Sequence, residues 1–464
     1  MSEVSENIAP TQTEVPPELP TKGRMRRAII DLAWPVVAEL MLVSLLGMVN
    51  MIMVGHIGTN ALAAVGITTQ PVLISFIFFQ AFNVGGTALV ARTIGADNVA
   101  QAKKISALTL WLNTIVGVVI GLLTFIFSRD LVLFMGAQPS YLDDAVLYMQ
   151  YSALGVMLQA IPAAVSALVR GAGNTRIPAV YNLASNIVNV IVGFVLVYLP
   201  FSFSQLGVKG VAIAQLVAKA VALVMALYAM LNNGNLAIRL NARDIVRPDF
   251  AALGKLVYIG FPAALEQLAM RAGLLIFSKL VADLGDVALA AHTINMNIQG
   301  LVFNFGAALG AAATSLAGRT LGAGEPALAN AYLKETRRIG MATSLVFTVI
   351  LIAIPGPISR LFTADQAVVA ASAAVLWLGA LMVPFQTSQL IISGGLRGAG
   401  DTVWPLVATV LGVGIVRVGA GYLGMVTLGL GLTGAWAAFL FDQVTRSVVI
   451  FLRFRTGRWQ HRKI

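Results

Sequence analysis

Two glutamates stand where a carboxylate could bind and release a cation. Glu39 follows Pro35, and Glu266 follows Pro262, each four residues further along an apolar stretch and so one helical turn beyond the proline. A proline inside a helix kinks it and leaves a backbone carbonyl without its hydrogen bond. Burial favours the neutral form of a carboxyl group, which would let it load and release a proton. The pattern predicts two H⁺ or Na⁺ sites near mid-membrane. The alternative is that each glutamate is neutral or paired and only locks helix packing.

Five other charges fall within apolar stretches. Asp442 and Arg446 are four residues apart and are expected to bind each other on one helix. Arg271, five residues after the second glutamate, lies on a different helix face from it and is expected to meet a cavity or another helix. For Lys219 and Arg417 the sequence identifies no partner, so a cleft role and a structural role are both open.

Amide side chains recur in the same stretches and are candidates for lining a wet cleft. Hydrogen bonding between helices is the commoner role of such residues in membrane proteins and is the alternative. The cleft candidates are these amides and two of the arginines: Asn50, Gln70, Asn182, Asn186, Arg271, Asn295, Gln386 and Arg417. No metal site or cofactor is expected, because the chain has no cysteine and only three scattered histidines.

The composition indicates a helical membrane protein. Of 464 residues, 58% are hydrophobic and 11% charged, with a mean hydropathy of +0.85; soluble proteins have about 25% charged residues. A bilayer core about 30 Å thick needs roughly 20 apolar residues per helix, and the long continuous apolar runs do not suit a barrel. We place spans at 28–54, 61–84, 103–127, 143–168, 176–199, 207–231, 252–279, 286–316, 330–354, 367–393, 402–426 and 432–453.

Basic residues predict the orientation of these spans. Most of them lie in the two tails and the even-numbered loops, while the odd-numbered loops hold only Arg129, Lys209, Lys279 and Arg360. Under the positive-inside rule both termini are cytoplasmic, in a multi-pass protein of the cell membrane. The net charge of +11 is therefore attributed to topology rather than to nucleic-acid binding.

The two halves of the chain repeat each other. The glutamates are 227 positions apart (266 minus 39), and at the same offset residues 92–96 match 319–323 and residues 170–175 match 397–402. Six spans per half make the repeat parallel, with an axis along the membrane normal and a cavity between the halves. The predicted fold is an all-α membrane protein of twelve helices in two homologous six-helix lobes.

The domain boundaries follow from this repeat. Residues 1–24 are predicted to be a disordered cytoplasmic tail, 25–231 the N-lobe, 232–251 a cytoplasmic linker, 252–455 the C-lobe and 456–464 a basic tail.

Residues 170–175 and 397–402 both read Arg-Gly-Ala-Gly-(Asn/Asp)-Thr and are called the Arg-Gly strings below. Their glycines are expected to end one helix, and Asn174 or Asp401 to cap the next. Neither string contains Gly-Lys-Ser/Thr, so no Walker-type ATP site is expected. Transport would then need an ion gradient or a partner.

The chain resembles the multidrug and toxic compound extrusion (MATE) transporters over roughly residues 25–455. The resemblance rests on the two parallel halves that open with a Pro-containing helix, the Leu-Ala-Ala strings that follow, and the second Arg-Gly string. It implies an antiporter that expels organic, often cationic, compounds while admitting H⁺ or Na⁺. It also implies rocking of two lobes around a central cleft. The expected partners are small organic substrates and membrane lipid, with no nucleic acid, and the chain is expected to act as a monomer.

Three positions depart from the family pattern. Subgroups of the family carry an aspartate where this chain has Asn50, an aspartate at the position of Gln386, or a carboxylate at the position of Met270. Their coupling residues cannot be transferred to this chain. Glu39 and Glu266 are therefore the candidate coupling groups on the strength of this sequence alone.

Two other classes of function are weighed against the transporter. A lipid-linked oligosaccharide flippase of the same superfamily would need a large cationic cavity, and Lys219, Arg271 and Arg417 leave that open. An integral membrane enzyme or scaffold is disfavoured, because there is no catalytic His, Cys or metal cluster and the loops are short.

Overall fold

Twelve helices cross the membrane. A computed structural model describes residues 19–198, 206–232, 236–240 and 249–462, and within these ranges twelve helices are long and apolar enough to span a bilayer. They are α1 Lys22–Ile57, α2 Thr59–Gly95, α3 Val99–Ile126, α4 Leu142–Gly171, α5 Arg176–Tyr198, α6 Gly207–Asn232, α7 Phe250–Ala282, α8 Asp286–Gly322, α9 Pro326–Ala353, α10 Gln366–Gly398, α11 Val403–Thr427 and α12 Gly431–Arg455. The twelve predicted spans are confirmed.

Several helices run a turn or more beyond their predicted spans, and each long extension lies on the side of the two termini. Because an even number of helices crosses the membrane, both termini lie on one side, called the termini side below. There α2 continues to Gly95 and α8 to Gly322, well past their apolar windows. A hydropathy pattern detects only the part of a helix that lies in lipid, so it does not detect these extensions.

The helices form two lobes that repeat nearly residue for residue. The N-lobe is α1–α6 and the C-lobe is α7–α12. Their matching helices end at matching positions: Gly95 and Gly322 close α2 and α8, and Gly171 and Gly398 close α4 and α10. Both pairs differ by 227 positions (322 minus 95, 398 minus 171). The predicted architecture of two homologous six-helix lobes is confirmed.

The proposed tails and linker hold more structure than their polar composition indicated. Helix α1 begins at Lys22, inside the tail predicted to be disordered, whose residues 1–18 lie outside the described part of the chain. In the linker, Leu236, Ile238 and Leu240 are buried in the N-lobe core, while 233–235 and 241–248 lie outside the described residues. In the C-terminal tail Trp459 is fully buried.

Each lobe places the beginning of its first helix in the core of the other lobe. Ile29 and Leu32 of α1 are buried among C-lobe residues of α8, α10 and α12. At the equivalent positions of α7, Leu256 and Ile259 are buried among N-lobe residues of α2, α3 and α4. The first turns of both helices are therefore part of the opposite lobe, and this exchange ties the lobes together on the termini side.

Two ion pairs support this exchange. Arg26 of α1 donates to Glu335 of α9 at 2.6 Å, and Lys104 of α3 lies 3.1 Å from Asp249, just before α7. Asp249 lies outside the membrane-spanning segments, and the backbone N–H of Ala251, followed by Lys104, holds the pKa of its carboxyl group below the usual value. Asp249 is thus charged at neutral pH and tethers the start of α7 to the N-lobe.

The helices that meet on the pseudo-two-fold axis cross without room for side chains. A Cβ atom on Gly95 would lie 2.0 Å from the carbonyl oxygen of Arg319, and one on Gly322 would lie 2.0 Å from that of Arg92. At the opposite ends, a Cβ on Gly58 would meet no atom within 4 Å, and the buried clusters there each belong to a single lobe. Among the described residues, the close contacts between the lobes are therefore concentrated on the termini side, where the lobes are closed against each other.

Helix α7 meets α2 at a similar close crossing, which gives a testable prediction. A Cβ on Gly260 would lie 1.7 Å from the carbonyl oxygen of Ala81. We expect Gly260→Ala to destabilise the protein by about 1–3 kcal/mol, the usual cost of overpacking, and to lower its melting temperature in detergent. Gly254→Ala on the same helix is the control, because a Cβ there meets nothing within 4 Å. Equal melting temperatures for the two variants would contradict the close crossing.

Candidate functional site

The first glutamate is held by an arginine from the first Arg-Gly string. Glu39 is 7% exposed. One terminal nitrogen of Arg170 donates to both of its carboxylate oxygens, at 2.6 and 2.8 Å. The side-chain amide of Asn182 donates to Oε1 at 2.7 Å. These residues come from α1, α4 and α5, so one carboxylate joins three helices of the N-lobe.

The second glutamate repeats this arrangement. Glu266 is 3% exposed, and Arg397 donates to its two oxygens at 2.7 and 2.8 Å. The hydroxyl of Thr409, at the position equivalent to Asn182, donates to Oε1 over a longer 3.4 Å. The separations along the chain are the same in both lobes, 131 positions from Glu to Arg and 143 to the third residue. The two sites are copies, with an amide in one and a hydroxyl in the other.

A duplicated pair of hydrogen bonds fixes the helix that carries each arginine. Thr87 of α2 donates to the carbonyl of Ala167 at 2.9 Å, three residues before Arg170. In the C-lobe, Thr314 of α8 donates to the carbonyl of Gly394 at 2.9 Å, three residues before Arg397. Each threonine thereby holds the last turn of α4 or α10 against the neighbouring helix.

The carboxylates lie nearer the termini side than the expected mid-membrane depth. Glu39 contacts Arg170, which is one residue from the end of α4, and Asn182, on the second turn of α5. Both of these helix ends are on the termini side. The expectation of mid-membrane depth is thus corrected, because a hydropathy window centres each span on its apolar residues and carries no information on how a helix is shifted or tilted against its neighbours.

The Arg-Gly strings hold more than helix caps. Asn174 caps α5 as expected, accepting from the backbone N–H groups of Arg176 and Ile177 at 3.1 and 3.2 Å. Asp401 does not cap α11: it accepts from Arg453 at 2.8 Å and from Arg462 at 2.7 Å. The capping prediction is therefore wrong for Asp401, whose negative charge attracts two guanidinium groups that the neutral Asn174 does not.

A second charged cluster lies in the C-lobe core. The predicted pair of Asp442 and Arg446 is confirmed, with Arg446 Nε 3.0 Å from Asp442 Oδ1. Arg417 joins it, donating through Nε at 3.0 Å and through a terminal nitrogen to Asp442 Oδ2, and its guanidinium lies 3.8 Å from the ring centre of Phe439. Arg417 is 1% exposed. Its assignment to the substrate cleft is wrong, because it is buried and paired with Asp442 inside the lobe.

The cleft candidates separate into three groups. Asn295 is completely buried and bonded to Ser372 through both its amide and its carbonyl oxygen, so it joins helices and does not line a cleft. Gln386 is also buried. Half-buried or exposed positions are held by Asn50, Gln70, Asn182, Asn186 and Arg271; of these, Asn182 belongs to the Glu39 site, and Asn186 donates to the backbone carbonyl of Asn182.

The three cations that left the flippase reading open do not gather in one cavity. Arg417 is paired in the C-lobe core, Arg271 is exposed, and Lys219 of the N-lobe lies 5.7 Å from the ring centre of Phe76. Arg271 is not the partner of Glu266, as its place on the helix predicted.

The partners of the two glutamates were not predicted from the sequence. The sequence nevertheless contains a signal for them. Both halves have an arginine 131 positions after the glutamate, and the presence of both charges at the same separation in each half indicates that they form a pair. The glycines and the capping residues of the Arg-Gly strings predicted only helix ends, whereas the arginines of these strings bind the glutamates.

These features define a class of protein. Two pseudo-symmetric six-helix lobes, closed against each other on one side of the membrane and each holding a buried ion pair, make up a membrane transporter of the two-lobe, parallel-repeat type. A family model described as MatE matches residues 35–195 and 262–423, so both of its segments begin at the prolines that precede the glutamates. The chain belongs to the MatE family.

Relatives and solved structures agree with this assignment. The probable multidrug resistance protein NorM of Thermotoga maritima is 26% identical over 440 residues, covering 95% of this chain and 94% of the relative. The multidrug resistance protein PmpM of Pseudomonas aeruginosa is 26% identical over 465 residues, covering 94% and 96%. A crystal structure of MATE in complex with MaL6 matches with a TM-score of 0.87 at 22% identity, covering 93% of this chain and 96% of that chain.

Proposed function

We propose that this protein is a multidrug efflux antiporter of the cell membrane, working as a monomer with both termini in the cytoplasm. It expels organic, often cationic, compounds in exchange for a cation bound at Glu39 and Glu266. The names of the relatives support drug efflux. The distribution of basic residues supports the orientation.

The observation that carries the proposal is the place of each Glu–Arg pair on its helix. The first turns of α1 are packed in the C-lobe, whereas Glu39, one turn beyond Pro35, is bound to Arg170 and Asn182 of the N-lobe. Beyond Pro35, α1 contacts both lobes: Val36 and Val37 are buried with Ala308 of the C-lobe, while Glu39 on the next turn is bound to the N-lobe. In α7, Leu256 and Ile259 are buried in the N-lobe core, while Glu266 is bound to Arg397 and Thr409 of the C-lobe.

Neutralising the carboxylate would act at these contacts. A protonated Glu39 no longer forms an ion pair with the guanidinium of Arg170. The turn of α1 that carries Glu39 is then released from the N-lobe, while the first turns of α1 stay packed in the C-lobe. The same step at Glu266 releases α7 from Arg397. Rocking of the lobes is the motion that such a release permits.

The geometry favours H⁺ over Na⁺ as the coupling ion. Each carboxylate already has a guanidinium nitrogen within 2.8 Å of both oxygens. A Na⁺ ion bound to both oxygens would occupy the position of this nitrogen and would have to displace it. A proton binds to one oxygen and neutralises the carboxylate without needing that space. We therefore assign proton coupling to the two sites.

The proposal is tested by proton release on substrate binding. Purified protein in weakly buffered detergent solution is mixed with ethidium, and a pH-sensitive dye reports the protons released. We expect release in choline chloride and in sodium chloride alike, and none from the Glu39→Gln/Glu266→Gln double variant. Release only in sodium chloride, or equal release from the double variant, would overturn the assignment of proton coupling to these glutamates.

A further inference from the structure

A groove with a basic rim opens between α9 and α12 on the termini side. It encloses about 760 Å³, and its end is formed by the turn that follows α12. Four of the side chains that line it are cationic: Lys334, Arg337, Arg338 and Arg455. The efflux mechanism above uses none of them.

Three of these cations lack an acidic partner within the described part of the chain. Arg338 lies 3.0 Å from Glu335, but no ion pair there includes Lys334, Arg337 or Arg455. Arg337 donates its Nε to Ser388 at 2.9 Å, which directs the rest of the guanidinium into the groove. The groove thus carries an uncompensated positive charge.

Two of the cations lie close to the same aromatic ring. The guanidinium carbons of Arg337 and Arg455 lie 4.5 and 6.0 Å from the ring centre of Phe451. Two like charges over one ring repel each other, and an anion between them would remove the repulsion. Guanidinium groups are well suited to bind phosphate.

The fold does not require these charges. At the equivalent positions of the N-lobe (offset 227 for α3 and 224 for α6) the residues are Ala107, Leu110, Trp111 and Leu231. The positive-inside rule explains basic residues on this side of the membrane in general, but not their convergence on one groove of one lobe. The charge is therefore a feature of this site rather than of the architecture.

The deeper part of the groove is apolar. Met341 and Leu345 follow Lys334 and Arg338 at helical spacing on one face of α9, towards the membrane centre, and both line the groove. Leu345 is 53% exposed on the surface that faces lipid. A ligand that fills the whole groove must have an anionic head and a hydrocarbon chain.

We propose that this groove binds an anionic phospholipid of the leaflet on the termini side. The phosphate lies among Lys334, Arg337 and Arg455, and an acyl chain lies along Met341 and Leu345. Basic pockets between membrane helices at the level of the headgroups bind such lipids. The lipid would brace α9, whose Glu335 holds the first turns of α1 through Arg26.

Lipid binding to the purified protein tests this proposal independently of transport. Protein in neutral detergent is titrated with phosphatidylglycerol, with phosphatidylcholine or with inorganic phosphate, and native mass spectrometry counts the bound molecules. We expect phosphatidylglycerol to bind at least about tenfold more tightly than phosphatidylcholine, because each basic side chain contributes roughly fivefold at this depth. Binding of inorganic phosphate as tight as that of phosphatidylglycerol would identify a free-anion site instead and overturn the lipid assignment.

Matched variants separate the groove from general surface charge. We expect the triple variant Lys334→Gln/Arg337→Gln/Arg455→Gln to weaken phosphatidylglycerol binding about a hundredfold. The triple variant Lys22→Gln/Arg24→Gln/Arg27→Gln removes the same charge from the exposed start of α1 and is expected to bind as the wild type does.

The single variant Arg455→Gln covers the case in which the groove triple variant fails to fold. Its side chain is exposed, and we expect about fivefold weaker binding. Equal weakening in the groove and α1 triple variants, or unchanged binding in Arg455→Gln, would contradict the proposal.

Discussion

Replacing Glu266 by glutamine is expected to reduce proton-driven ethidium efflux to the rate of empty liposomes. The amide has the size of the carboxylate, so α7 can keep its packing, but it neither takes up a proton nor forms an ion pair with Arg397. The substitution removes the charge-assisted hydrogen bond of 2.7 Å from Arg397 to Glu266, and the site then stays neutral at every pH. The measurement is ethidium efflux from proteoliposomes under an imposed pH gradient, with ethidium binding measured separately.

Companion variants show whether the loss belongs to the site. Glu266→Asp keeps the charge and should retain part of the activity and its pH dependence. Glu325→Gln makes the same chemical change at a glutamate that forms no ion pair with any described residue. This variant should transport normally. Full gradient-driven efflux by both Glu266→Gln and Glu39→Gln would remove the two glutamates from the coupling mechanism.

The two glutamates need not contribute equally. Asn182 donates to Glu39 at 2.7 Å, whereas Thr409 donates to Glu266 at 3.4 Å, so the contact from α1 to α5 is the shorter of the two equivalent contacts. We therefore expect Glu39 to contribute more than Glu266 to anchoring its helix within its own lobe.

The fold was predictable because its determinants are local and repeated. Twelve apolar runs specify twelve helices, and the matches at an offset of 227 specify two parallel lobes without any contact being known. The exchange of first helices was not predictable in this way. Leu32 and Ile259 look the same in the sequence whether they pack in their own lobe or in the opposite one.

The site was predicted only in part, for a related reason. Glu39 and Glu266 are conspicuous because a carboxylate in an apolar helix is rare, but their partners lie 131 positions away in strings that already had a local explanation. Polarity alone also does not distinguish a residue that faces a cleft from one buried in a network. Asn295 and Arg417 were placed in the cleft for that reason, although each is satisfied by a partner on another helix.

The cluster around Asp442 gives the sharpest contrast between a structural and a functional carboxylate. Asp442 is completely buried between Arg417 and Arg446, and the N-lobe has Ala218 and Ala222 at the positions of Asp442 and Arg446 (offset 224). The fold therefore does not need the cluster, but once two buried guanidinium groups are present they need the carboxylate. Removing one partner of a buried ion pair costs about 3–5 kcal/mol.

We expect Asp442→Asn to be strongly destabilising, because it leaves Arg417 and Arg446 buried without a counter-charge. Arg417→Leu should cost much less, since the neutral pair of Asp442 and Arg446 survives it. Thermal unfolding in detergent, followed by tryptophan fluorescence, should rank the melting temperatures as wild type, Arg417→Leu and then Asp442→Asn. Glu266→Gln should melt above Asp442→Asn, because the side chain of Arg397 is 22% exposed and can be solvated when it loses its partner, whereas that of Arg417 is 1% exposed. If Asp442→Asn melted with the wild type yet failed to transport, the cluster would be part of the coupling machinery rather than a structural device. The expected order instead separates the carboxylate that holds the C-lobe together from the one that lets it move.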